Sequence, residues 1–108
     1  MARKGQRRGP EHLGPAGRRL FRVVSDNFVL EPHHEIILLA AAEALDRSAE
    51  ARARVAAEGL TVKDRFGIDR PHSLLATERD SRIAFLRALA ALGLDVEGAA
   101  VVGRPLGR

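Results

Sequence analysis

Few residues in this chain have side chains suited to acting on another molecule, and those few are not arranged for catalysis. His33, His34 and Glu35 stand in a row, a set of types that can ligate a metal. Adjacent helical side chains point about 100° apart, and no further ligand follows one turn later, so these residues read as polar positions at a helix start facing water. No GxxxxGK[ST] run is present to cradle a phosphate, which assigns any coupled ATP use to a partner. The carboxylates are spread along the chain as surface pairs and do not gather into a cluster that would hold a catalytic cation. Cysteine is absent, which excludes thiolate chemistry, a disulfide framework and any Cys-ligated metal. The expectation is a chain with no catalytic residues, no metal site and no cofactor, and therefore not an enzyme.

The remaining chemistry is cationic. Residues 1–22 carry Arg3, Lys4, Arg7, Arg8, Arg18, Arg19 and Arg22 against Glu11 alone, a net of +6 in a chain whose total is +4. The rest is mildly acidic. A basic segment leading into such a body suits a polyanion, because cations that neutralise phosphates release condensed counterions. Arg3, Lys4, Arg7 and Arg8 are expected as phosphate contacts from a flexible arm, and Arg18, Arg19 and Arg22 as contacts from a fixed helix. Lys63, Arg65 and Arg70 form a second group.

Three helices and one hairpin are expected to carry these cations. Residues 1–12, with Gly5, Gly9 and Pro10, have no apolar period and form the arm. Gly14-Pro15 starts a helix that runs to residue 28, since proline at the first helical position sacrifices no hydrogen bond. Leu20, Val24 and Phe28 recur at four-residue spacing as its packed stripe, which Phe21 widens. Pro32 starts a second, long helix that Gly59 ends as a left-handed cap. Residues 36–42 are uninterrupted apolar positions, to be buried nearly all round by helices or another subunit. Beyond them Glu43, Asp46, Arg47, Glu50, Arg54 and Glu58 mark a solvated face, with Glu43–Arg47 and Glu50–Arg54 as pairs. Residues 60–62 and 66–68 read as two short strands joined by Lys63-Asp64-Arg65, closed by Pro71. A third helix begins near His72 or Ser73 and runs to Leu92, with Gly93 as its stop, packing through Leu75, Ile83, Leu86 and Ala90 in a stripe that Phe85, Leu89 and Leu92 extend. Residues 95–108 form a tail without a readable period.

This places the chain in the mainly α class: two N-terminal helices, the second long, a small β-hairpin and a C-terminal helix, assembling into an oligomer. The domain covers residues 13–94, with the hairpin near 60–70. With no Trp or Tyr and only four Phe, the core rests on aliphatic residues and alanine, and burial between subunits is the natural supplement to so small a core. No signal peptide and no membrane-spanning run is readable, so no membrane partner is expected.

The order of these pieces resembles a known family. His12-Leu13 before an amphipathic helix with Phe21, then EGLTV at 58–62, Arg70 with PHSLL at 71–75, and LRALAALGL at 86–94, is similar to one branch of the small subunits of tailed-phage DNA-packaging terminases. The resemblance covers residues 12–95. Phe21 stands where that family usually has Trp, and Ser73 where a second Pro commonly follows the His; after Leu94 the family's helix-starting Thr/Ser-Pro is missing. The resemblance implies an oligomeric ring that binds double-stranded viral DNA near the packaging start in the host cytoplasm and presents it to a large ATPase-nuclease subunit. A stand-alone dimeric DNA-binding regulator and a scaffold without a nucleic-acid role are the alternatives that the residues leave open.

Overall fold

The computed structural model describes residues 9–94, and their architecture is the expected one: three helices and a two-stranded antiparallel hairpin, in the order α1 (Pro15–Asn27), α2 (Pro32–Glu58), β1 (Thr61–Lys63), β2 (Asp69–Pro71), α3 (Leu74–Leu92). The expectations for residues 1–8 and 95–108, which include Arg3, Lys4, Arg7 and Arg8, lie outside the described residues.

Helix α2 has 27 residues, about 40 Å at 1.5 Å per residue, and is the spine. Its start is a capping box in which His34 stands at the usual Glu or Gln position. The Glu31 side chain accepts from the His34 amide, and His34 Nδ1 accepts from the Glu31 amide at 3.1 Å. This gives His34 a structural occupation. Helix α1 crosses the first half of α2, and α3 returns along its length. Leu13, Phe21, Val24, Leu38, Ala42 and Leu92 make the buried core where all three helices meet. Leu38 is wholly inaccessible.

From its middle onward α2 approaches the first half of α3 through small residues, with Ala44, Ser48, Ala51 and Ser81 buried. Ser48 Oγ donates to Glu78 Oε2 at 3.3 Å, and Arg82 closes on the same oxygen at 2.9 Å. Residues 36–42 are less enclosed than expected. Leu38, Ala41 and Ala42 are buried, but Ile36 is 71% exposed and Ala40 is exposed, because one side of α2 has no helix against it. The stripe expected on α3 packs only through its extension: Leu92 is buried, Leu89 lies against the core and Phe85 is half-buried, while Ile83, Leu86 and Ala90 are exposed and Ser81 is an unexpected buried position. The helix is apolar over most of its circumference in its second half, so periodicity alone could not choose the packed side.

The hairpin is present with a different register. Thr61 pairs with Pro71, Val62 with Arg70 and Lys63 with Asp69, so residues 66–68 belong to the turn and Pro71 is a strand residue. Asp64 accounts for this. Its Oδ1 accepts from the amides of Phe66 and Ile68 at 2.8 and 3.0 Å, which folds the chain back after residue 68. The Ile68 amide, then Arg70 and the Phe66 amide, hold the Asp64 carboxyl below the usual carboxylate range.

Helix α3 is capped by a different residue from the serine that its sequence suggests. Ser73 makes no side-chain cap bond; the buried His72 ring supplies the cap, with Nδ1 accepting from the Leu74 amide at 3.0 Å. That acceptance places the ring proton on Nε2, which donates to Glu58 Oε1 at 2.7 Å and ties the end of α2 to the start of α3. The bonds from His72 and then Arg54 hold the Glu58 carboxyl below its ordinary range. A depressed carboxyl pKa stabilises the fold above the unfolded-state value of about 4.5, and the contribution disappears as pH falls through the lower folded value. Urea unfolding at several pH values should therefore show the wild type more stable than Glu58→Gln at pH 6, with the gap closing below pH 4. A gap that widens on acidification contradicts the linkage. Gly59, which ends α2, is at φ 97 and ψ 163, a positive-φ glycine turn and not the left-handed cap expected; Gly93 does adopt that cap.

Candidate nucleic-acid interface

The cations expected on the first helix divide into two sets. Arg18 turns inward: its Nη2 donates to the carbonyls of Leu13 at 2.7 Å and Glu11 at 3.1 Å, bracing the segment that enters α1. It is a structural residue and not the free phosphate contact expected. Arg19 and Arg22, one turn apart, are exposed on the side of α1 opposite Gly17, Phe21 and Val24, and neither makes an ion pair among the described residues. Two guanidinium groups on one helix face, held by a buried opposite face, form a platform of fixed positive charge.

The segment ahead of α1 is tied to the body from residue 9 onward. A Cβ at Gly9 would meet Phe21 Cγ at 2.9 Å and Leu13 Cδ1 at 3.0 Å, so the backbone there lies directly on the core. His12 Nε2 is 2.7 Å from Glu43 Oε2 on α2. The start of α1 lacks a side-chain cap of its own, and Asp46 of α2 supplies one: Oδ2 accepts from the Gly14 amide and Oδ1 from the Gly17 amide, both at 2.6 Å. Asp46 is thus half-buried and not a member of the solvated face. Nothing in its charged surroundings signals this; the signal lies at the other end, in a helix start with two glycines and no Ser, Thr, Asp or Asn to cap it.

At the hairpin, Lys63 Nζ lies 2.8 Å from Asp69 Oδ1 and Arg70 Nε 3.0 Å from Asp64 Oδ2. Both cations are neutralised locally. Arg65 has no carboxylate partner among the described residues, and its guanidinium lies 5.2 Å from the centre of the Phe66 ring. The second group is therefore not continuous with the first in character, and its free charge reduces to Arg65.

Elsewhere the expected pairs re-partner. Glu43 engages His12, leaving Arg47 exposed and without an ion pair among the described residues, and Arg54 reaches forward to Glu58 at 3.2 Å in place of Glu50. Arg52 and Arg82 share Glu78, and Arg79 meets Asp80. Arg47 and Arg87 are further unpaired cations among the described residues that sequence spacing does not single out, each isolated on its own helix. Among the described residues no group of three or more His, Asp or Glu is placed to hold a metal, and no helix is long and apolar enough to cross a membrane. No family model, curated protein or solved structure matches the chain.

Proposed function

We propose that this chain is a DNA-binding assembly protein of the terminase small-subunit type, which binds double-stranded viral DNA in the host cytoplasm as an oligomeric ring and presents it to a large ATPase-nuclease subunit. The observation that carries the DNA reading is the unpaired state of Arg19 and Arg22 on the outer face of α1, the helix into which the +6 segment of residues 1–22 leads. Most other cations of the described body already sit against a carboxylate. The assembly reading rests on the apolar side chains left exposed on α3 and at the hairpin, together with the family resemblance of the motifs from EGLTV to LRALAALGL. Catalysis belongs to the partner, and this chain alone neither hydrolyses ATP nor cleaves DNA.

Binding to a labelled duplex at several salt concentrations tests the first part. Each phosphate that a variant no longer neutralises should flatten the dependence of log K on log salt by about 0.9. Deleting residues 2–8 removes Arg3, Lys4, Arg7 and Arg8 without touching a described residue; Arg19→Gln with Arg22→Gln removes the platform. Both variants are expected to bind more weakly with a shallower slope, whereas Arg18→Gln should act through helix stability. Unchanged affinity and slope in the first two would refute the assignment and direct attention to Arg65. A monodisperse dimer in light scattering would favour the stand-alone regulator.

A further inference from the structure

Two helix faces of this domain are left without a partner, and they are unlike one another. On α2, Ile36, Ala40, Arg47 and Glu50 follow at spacings of four, seven and three residues, which places them in one stripe along the helix. All four are exposed, and neither Arg47 nor Glu50 makes an ion pair among the described residues. On α3 the stripe is Asp80, Ile83, Leu86, Arg87 and Ala90, every one exposed. Among the described residues Asp80 has only the adjacent Arg79, at 3.3 Å, and Arg87 has no carboxylate. Ser81 and Leu92, on the opposite side of α3, are buried, so the outer stripe points away from the body. It cannot reach the free stripe of α2 within one copy.

The order of side chains along the two stripes identifies a second copy of the chain as the occupant. From its N-terminal end the α2 stripe runs from apolar to charged, whereas the α3 stripe runs from charged to apolar. Laid antiparallel, with Ala90 against Ile36, the stripes bring Leu86 against Ala40, four residues along each helix. Arg47 lies seven residues beyond Ala40, about 10.5 Å at 1.5 Å per residue, and Asp80 six residues before Leu86, about 9 Å. The unpaired guanidinium and the carboxylate therefore fall side by side. Glu50 comes within a turn of Arg79, and Arg87 falls opposite residue 39, one turn from each of Glu35 and Glu43. In the parallel direction the same apolar contact sets Arg47 opposite Gly93, and an α3 stripe packed on its own copy leaves Ile36, Arg47 and Glu50 unmatched. We infer that the outer stripe of α3 in one copy docks antiparallel on the free stripe of α2 in the next, with Leu86 and Ala90 on Ala40 and Ile36 and with Arg47 paired to Asp80. The inference rests on the assembly reading above and names the two surfaces through which the copies meet. Each copy then uses two different faces, one for each neighbour, and such a contact continues from copy to copy until rotation closes it into a ring.

A contact between unlike faces has a signature that a contact between like faces lacks. Ile36→Glu and Leu86→Glu each disable one face and leave the other whole, at positions too exposed to disturb the core. By light scattering at micromolar concentration each is expected near the mass of a single chain, with the helical content of the wild type by circular dichroism. An equimolar mixture of the two holds one intact pair of faces and should reach twice the mass of one chain and no more. Charge reversal tests the direction of docking: Arg47→Glu should weaken assembly about tenfold, and Arg47→Glu combined with Asp80→Arg should restore it. Full oligomeric mass for Ile36→Glu, a mixture that stays at single-chain mass, or a double reversal no better than Arg47→Glu would each overturn the inference while leaving the assembly reading standing. A wild type that is itself monomeric removes that reading, and the inference with it.

Discussion

Gly17→Ala is expected to destabilise the protein by about 3 kcal/mol, although helix propensity alone makes the substitution favourable. In an unencumbered helix interior, alanine is better than glycine by about 1 kcal/mol. Here the added methyl would meet the Ala42 carbonyl oxygen at 2.6 Å and collide with the carboxylate of Asp46. The first is backbone of a buried stretch of α2 and cannot retreat. The second can rotate away only by giving up the bonds to the Gly14 and Gly17 amides. Overpacking at so close an approach costs about 1–3 kcal/mol, and a half-buried amide left without an acceptor about 1–3 kcal/mol more, which together exceed the propensity gain. Urea unfolding followed by circular dichroism should show a lower midpoint with an unchanged slope. A midpoint equal to or above that of the wild type would mean that α1 and α2 do not approach as described.

Residue 17 also shows where the sequence is legible and where it is not. The helix boundaries are readable because their signals are local: Pro15 and Pro32 at first positions, Gly59 and Gly93 just past the last turns. The hairpin is readable as a hairpin, but its register depends on Asp64. An Asp between two β-prone triplets reads as turn chemistry, and only the geometry shows its carboxylate reaching the amides two and four residues on. Phe66 and Ile68, β-prone by type, are thereby drawn into the turn.

The candidate site is legible in charge and not in geometry. Arg18, Arg19 and Arg22 cannot be ranked from sequence, since each lies within one turn of another and all are near apolar positions. The carbonyls of Glu11 and Leu13 decide the matter by capturing Arg18. Asp46 is invisible for the same reason in reverse. Its neighbours Glu43, Arg47 and Glu50 give it the spacing of a solvated face, and its partners are backbone amides about thirty residues away. His72, readable in sequence as a helix start and as part of a family-like motif, is the buried cap that joins α2 to α3.

Leu86→Glu is expected to dissociate the proposed oligomer while leaving each subunit folded. Leu86 is 54% exposed and Ile83, one turn before it, 40%, on a side of α3 that no element of the described chain covers. A second apolar surface stands at the hairpin, where Phe66 is 73% exposed. These two apolar surfaces are the natural material of a subunit contact. Because Leu86 contributes little to the buried core, its replacement should leave the unfolding midpoint nearly unchanged. An unpaired carboxylate in an apolar interface, by contrast, costs about 3 kcal/mol or more, on the order of a hundredfold in association. Val29→Glu is the control: Val29 is 98% exposed and isolated between helices, so a charge there should leave assembly as it was. Light scattering at micromolar concentration should find the wild type and Val29→Glu at the same high mass and Leu86→Glu near that of a single chain. A wild type that is itself monomeric would sink the assembly reading, and a Leu86→Glu chain of full oligomeric mass would move the interface from α3 to the hairpin, where Phe66→Glu is the corresponding substitution.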